Sequence, residues 1–499
     1  MSASSRSSRT ALAGLLLAAG ITGRHAVGLL ELRRSRRALI RPACPDPIDV
    51  PAPTVHLVVP VLREQQAVAS LLDWCATLLE ALPSLTLTVV TTAREDAERQ
   101  LLAEQIAAAG PGALRAGRFP LTADECQALA AVRPTTTGEV AAVLDGFLST
   151  RDVVVGLLAE PALAKLPIGH LHHPGVEGRK AAQVNHAAEQ IPAGDETESY
   201  LAVFDVDSRP TVEQMTLILR ELASHRQRAG SWPEIMQQSA LFTAPAGSGA
   251  LAHGAARMQS LWTLRRELAS FRRYRAGLDR YPAGFRRTVV RGLAQTVGHG
   301  LLVRRDVFAQ VGGLPTSTTL DDFPFGFQVT MAGVPVRSAP MLGRAPMPDT
   351  LTELVRQGRR WFNNYLDYPR CARDATAAGR GRPVERAVAL AVGGYRGTGW
   401  LLRGPAALTL LGLAVSRTGW PTRLTAAAGL VVGFVEPARQ LARLEDRPAD
   451  PLSVAHDSVD LFCATVLNSV GPAWAVAARL AGARTALSPK AHRITGEAS

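Results

Sequence analysis

Two carboxylates one residue apart, Asp205 and Asp207, close the stretch SYLAVFDVDSR at Ser199–Arg209. Side chains two apart on a strand point to one face, so this pair can stand side by side. Like charges that close repel and raise one pKa, unless a hard divalent cation lies between them. Mg²⁺ or Mn²⁺, held by carboxylates together with substrate phosphates, suits such a pair. A solvated turn after a core strand is the plainer alternative, and the rest of the chain has to decide.

The elements that would position the pair follow an α/β pattern. Tyr200–Phe204 is an apolar run of strand length, and ligands of open α/β sheets gather at the carboxyl ends of strands. Thr54–Pro60 (TVHLVVP) and Leu85–Thr92 read as further strands, with a helix over Glu64–Leu82 between them and another from Ala93. A helix is predicted over Gly178–Gln190, another from Thr211, and a strand over Ile235–Phe242. Gly298–Pro315 reads as strand and helix closed by a Gly-Gly turn. Asp321-Asp322 opens a helical run that Gly333 ends, and Leu351–Tyr365 is a helix carrying Gln357, Arg360 and Trp361. Between about residues 115 and 166 the pattern weakens, with a helix expected only at Gly138–Leu148. No P-loop and no GxGxxG after a strand is present, which removes support for ATPase and dinucleotide functions.

The chain has 499 residues and a net charge of +12, almost all of it from arginine; its lysines are Lys165, Lys180 and Lys490. Such a bias is poor evidence for nucleic acid, and none is expected as a partner. A basic surface facing anionic lipid is the better reading where apolar anchors lie nearby. Ten arginines between Arg257 and Arg291, interleaved with Trp262, Leu264, Leu268, Phe271 and Tyr274, read as a basic aromatic helix on a membrane surface. The five cysteines are scattered without CxxC spacing, which argues for buried free thiols rather than a zinc site or disulfides.

Residues 1–40 form a candidate membrane anchor, with signal peptide and interfacial helix as the other readings of the same apolar run. A proline-rich linker follows at 41–53, then an expected catalytic domain at 54–370. Residues 385–482 are expected to be two to four membrane-associated helices, in which Asp457 and Asp460 must face a bundle interior or water. The tail is 483–499. The arginines after the first apolar run place the catalytic domain on the cytoplasmic side of the cell membrane.

In combination, these pieces resemble a membrane-associated family 2 glycosyltransferase. LVVPVLREQQAV (57–68) is similar to the family's first strand and turn, GRKAAQVNHA (178–187) to the stretch that approaches the nucleotide, and Asp205-Val-Asp207 to its DxD motif. GHGLLVRRDVFAQVGG (298–313) resembles the strand and glycine turn before the catalytic acid. Asp321-Asp322 stands at the acidic pair, and Gln357-Gly-Arg-Arg360-Trp361 matches QxxRW. The resemblance implies an α/β, GT-A-like open sheet flanked by helices, with a C-terminal α-helical membrane region. It implies donor contacts at Pro60, Glu64, Lys180, Asn185 and Asp205, with Glu95 or Asp96 replacing the family's Asp-rich turn. Asp205 and Asp207 would hold Mg²⁺ or Mn²⁺. Asp322, or its neighbour Asp321, would be the general base, while Gln357, Arg360 and Trp361 would serve acceptor and diphosphate. His299 is a further candidate beside the diphosphate.

The activity so implied is inverting, metal-dependent transfer from a nucleotide-sugar to a lipid-linked or polysaccharide acceptor at the cytoplasmic membrane face. A processive polysaccharide synthase and an inactive nucleotide-sugar-binding membrane scaffold are the alternatives.

Overall fold

The computed structural model describes residues 3–39, 49–110, 119, 121–192, 195–207, 209–281, 283–291, 296–298 and 300–482. The candidate His299, most of the 41–53 linker and the 483–499 tail lie outside the described residues. The described residues form two compact units, one within 49–235 and 298–317, the other within 3–39, 236–297 and 318–482. Among the described residues the strands are β1 (Thr54–Pro60), β2 (Leu85–Thr92), β3 (Ile168–His173), β4 (Ser199–Val203), β5 (Ile235–Thr243), β6 (Leu301–Arg304) and β7 (Val336–Pro346).

In the first unit, the sheet unit, the strand order is β3-β2-β1-β4-β6. β1 runs parallel to β2 and β4, and β2 parallel to β3, while β6 is antiparallel to β4. Parallel strands covered on both faces read as near-continuous apolar runs. Accordingly Val55, Leu57, Val58 and Val59 of β1 are fully buried. The helix Gln65–Ala81, which packs against β2, turns inward Val68, Leu71, Leu72, Cys75 and Leu78, a helical stripe that is also fully buried.

The stretch with the weakest sequence pattern holds three short helices, Ala123–Val132, Thr137–Asp145 and Thr150–Leu158. Each begins with a capping box: Thr122 with Glu125, Thr136 with Glu139, Ser149 with Asp152. The S/T-x-x-E/D spacing is the signal for these starts. β3 was not expected at all, because its sequence IGHLHH lacks an apolar run.

The second unit, the helical unit, contains β5 and β7 and most of the helices. Ala11–Leu39 and Pro451–Leu480 are long and apolar enough to cross a membrane. Pro383–Leu401 with Arg403–Val415 makes a third candidate if this pair, bent by 48°, is one span. The N-terminal helix is not a lone anchor. Thr22 donates to the Thr425 carbonyl at 3.1 Å, and the His25 ring lies edge-on to Phe434 at 5.7 Å.

The basic run departs from expectation. It forms the helix Ala250–Trp262, a π-turn at Thr263–Glu267 and the helix Leu268–Arg280. Leu264, Leu268, Phe271 and Tyr274 are buried in protein, so this is not an aromatic face turned to lipid. Several of its arginines meet buried carboxylates instead. Arg272 and Arg273 reach Glu31 at 2.7 and 2.8 Å. Arg257 reaches Asp457 at 2.5 Å and Asp460 at 3.0 Å. Both aspartates thus face the bundle interior, as their cost in lipid demands.

Breaking a buried pair leaves an uncompensated charge. Arg257→Ala is therefore expected to lose roughly 3–5 kcal/mol of stability, read as a lower melting temperature of the detergent-solubilised protein, with Arg257→Lys intermediate.

Candidate functional site

Of the residues expected on the donor side, Pro60, Glu64, Glu95 and Asp205 lie at or just after the carboxyl ends of sheet-unit strands, and Lys180 and Asn185 lie on a helix. β4 ends at Val203, so Asp205 and Asp207 stand in the turn that follows rather than on the strand. The strand-face argument therefore does not apply to them, but their exposure still alternates: Asp205 half-buried, Val206 buried, Asp207 exposed. Lys180, in the first turn of the helix Arg179–Gln190, donates to Asp205 Oδ1 at 2.7 Å and to the Gly298 carbonyl at 2.6 Å. One ammonium thus fixes the first carboxylate and anchors the chain that leads into β6. Gly178 precedes this helix at φ +79°, where a Cβ would also strike Ala182, so the entry to the helix requires glycine.

Two other residues of the same helix hold loops in place. Buried Gln183 donates to the Val61 and Val90 carbonyls at 3.0 and 2.6 Å, tying together the ends of β1 and β2. Asn185 accepts from Leu314 N at 2.8 Å and donates to Leu314 O at 2.9 Å. Both halves of its amide are committed to the turn at Gly312-Gly313, which makes it a positioning residue. Gln183 was missed in the sequence, where a lone glutamine on a helix carries no mark.

Pro60 ends β1 in a buried position, and Arg63 follows at φ +53°. Glu64 is buried at the start of the next helix, its backbone N–H donating to Thr150 Oγ1 at 3.2 Å. Glu95 is also buried. It accepts from Gln65 Nε2 at 2.9 Å and from Thr150 N at 3.0 Å, with Arg99 at 3.6 Å. That carboxylate joins three helix starts, whereas Asp96 beside it is exposed. Of the two carboxylates in this turn, Asp96 is thus the exposed one and Glu95 is committed to packing. Next to it, His170 and His172 share the Thr91 hydroxyl at 2.8 and 3.0 Å. Burial lowers the pKa of both rings.

The helical unit holds the acidic pair and the QxxRW residues. Asp321 stands at the N-cap position of the helix Asp322–Ala332 without a side-chain capping hydrogen bond, and Asp322 occupies its first turn, where the helix dipole favours a carboxylate. Asp322 Oδ1 accepts from its neighbour Phe323 N at 2.8 Å and from Asn364 Nδ2 at 3.2 Å. Asn364 lies four residues after Arg360 on the helix Leu351–Leu366, so the same helix supplies QxxRW and the group that orients the acid. Gln357 and Trp361 line an apolar cleft with Leu251, Met258, Met347 and Leu467. Trp361 meets Phe242 edge-on at 6.3 Å. Arg360 is half-buried on the same helix.

One further acid was unexpected. Glu267 closes the π-turn, is buried and accepts from Ser239 Oγ. Burial, with a smaller contribution from the charge of Asp322, pushes its pKa up to about 8.

Residues 201–436, just under half of the chain, match the family model for glycosyl transferase family group 2. The match includes Asp205, Asp207, Asp321, Asp322 and the QxxRW residues, and it begins after Lys180 and Asn185. No curated protein matches the sequence. Among solved structures, the mannosyltransferase PcManGT from Pyrobaculum calidifontis, in complex with GDP-Man and Mn²⁺, aligns at 15% identity and a TM-score of 0.43. The alignment covers 92% of this chain and 99% of that one. S. aureus TarS 1–349 in complex with UDP-GlcNAc aligns at 9% identity and a TM-score of 0.33, covering 83% of this chain and 90% of that one.

Two expectations follow. Between pH about 4.5 and 8 native Glu267 holds a proton that the unfolded chain has lost, so stability falls as pH rises through that window. Glu267→Gln should remove this slope, melting above the wild type at pH 8 while the difference shrinks towards pH 5. Asn364→Ala should lower kcat about tenfold with little change in melting temperature, since it frees Asp322 to rotate.

Proposed function

We propose that this chain is an inverting, metal-dependent glycosyltransferase, moving a sugar from a nucleotide-sugar to a lipid-linked or polysaccharide acceptor at the cytoplasmic membrane face. The observation that carries the reading is the family 2 match, which spans the DxD pair, the acidic pair and QxxRW in one segment. The candidate membrane-crossing helices support a membrane-bound acceptor.

Two hard carboxylates in the turn after β4, one steadied by an ammonium and one exposed, suit Mg²⁺ or Mn²⁺. Asp205 and Asp207 would hold it, and the bound cation would supply charge neutralisation for a leaving nucleoside diphosphate. Lys180 keeps Asp205 oriented. Asp96 contacts the nucleoside, and Pro60 and Glu64 shape the loop beside it.

Asp322, oriented by Asn364, takes the proton from the acceptor hydroxyl as that oxygen attacks the anomeric carbon. The new C–O bond forms as the bond to the diphosphate breaks, and the electron pair leaves with the diphosphate. A single displacement inverts the centre. Arg360 stabilises the departing charge, and Trp361 with Gln357 presents an aromatic and polar wall to the acceptor.

The test is nucleoside diphosphate release by the detergent-solubilised protein across a panel of nucleotide-sugars, with Mn²⁺, Mg²⁺ or chelator. Release should require metal, vanish in Asp205→Ala and fall about 10²–10⁴-fold in Asp322→Asn. Release unchanged in Asp322→Asn would transfer the base role to Asp321. Donor-dependent thermal stabilisation without release for any donor would favour the nucleotide-sugar-binding scaffold.

A further inference from the structure

Charge in the helical unit is mostly matched, as Arg257 and Glu31 illustrate. One group of arginines is not. Arg24 lies on the N-terminal helix, Arg265 and Arg266 on the π-turn, and Arg403 at the start of Arg403–Val415. None of the four meets a carboxylate among the described residues. Arg265 Nε and Nη2 are buried without a hydrogen-bond partner.

The group is built, not scattered. The stem of Arg265 crosses Gly28, where a Cβ would sit 3.6 Å from Arg265 Cδ. The Arg24 guanidinium rests on Gly399 and lies 5.8 Å from the centre of the Tyr395 ring. Arg266 hydrogen-bonds Tyr395 and feels the charges of Arg24 and Arg396. Burial, and then the charges of Arg403 and Arg266, lower Arg265 to about 9. The partly buried Tyr365 ring feels the charges of Arg396, Arg403 and Arg266 and also that of Asp322.

Like charges gathered this way are unfavourable unless an anion joins them. Arg24 lies within the membrane-crossing candidate Ala11–Leu39, where an ionisable residue marks a functional position. Guanidinium forks on neighbouring helix turns suit the several acceptor oxygens of a phosphate.

We propose that Arg24, Arg265, Arg266 and Arg403 bind a phosphate group carried on a membrane lipid, the phosphorylated head of the lipid-linked acceptor. This rests on the glycosyltransferase reading for its purpose, but binding is measured without turnover, so the two can fail separately.

The experiment titrates full-length detergent-solubilised protein with farnesyl phosphate, farnesol and inorganic phosphate, following tryptophan fluorescence. Farnesyl phosphate should bind saturably and farnesol should not. R266Q/R403Q should weaken farnesyl phosphate at least about tenfold, and R266K/R403K should retain most of the affinity. Inorganic phosphate competing only far above the farnesyl phosphate concentration supports a lipid source. Competition at equal concentration would overturn the lipid assignment and leave a site for free phosphate. Without ligand, R266Q/R403Q should melt at or above the wild-type temperature, because it removes repulsion. A lower melting temperature would show these arginines to be structural and overturn the site. Equal farnesyl phosphate affinity in wild type and R266Q/R403Q would overturn it as well. Diphosphate release that persists beside such a result would leave the glycosyltransferase reading standing.

Discussion

The contact on which the sheet unit's site depends is the one that Lys180 makes with Asp205 and the Gly298 carbonyl. A half-buried carboxylate at the end of a core strand needs a partner to hold one rotamer, and the ammonium supplies it. The same group satisfies a carbonyl on the segment that enters β6, so one side chain ties helix, turn and strand together. Around this node the same helix contributes Gln183 and Asn185, both committed to backbone carbonyls and amides of the adjoining segments. Pre-organisation of this kind is what a diphosphate-binding site requires, because the groups that meet the charge then need not reorganise as it develops.

The helical unit follows a second constraint, the cost of charge in an apolar setting. Most of its buried carboxylates are matched: Arg257 joins two aspartates of the last long helix, and Glu31 gathers Arg34, Arg272 and Arg273. Glu267 meets the same cost differently, by staying protonated beside Ser239. Against this background a cluster of arginines that meets no carboxylate among the described residues is a difference of kind. It belongs to the unit whose helices are long and apolar enough to cross a membrane.

Much of the sheet was legible in the sequence because parallel strands covered on both faces are continuous apolar runs. β1 and β2 lie at the predicted bounds. β3 was not legible, since histidines at its end pair through the Thr91 hydroxyl, a contact that no local pattern encodes. Motif residues were visible as types and spacing, but their roles were not. Glu95 and Asp96 are neighbours in sequence, and only burial separates a packing carboxylate from an available one. Asn364 gave no signal because its importance lies in reaching a residue 42 positions away. The basic aromatic run misled for a related reason: amphipathic composition does not say whether the apolar face meets lipid or protein.

The central claim is that the carboxylates after β4 hold the metal of a sugar-transfer site. It is tested most directly by an experimental structure of the protein with nucleoside diphosphate and Mn²⁺, using manganese anomalous scattering. The account predicts an anomalous peak beside Asp205 and Asp207. His456, Asp457 and Asp460 also bring three potential ligand atoms within 4.8 Å of one another, although Arg257 already occupies both aspartates. A peak at that cluster, with none at Asp205 and Asp207, would contradict the account.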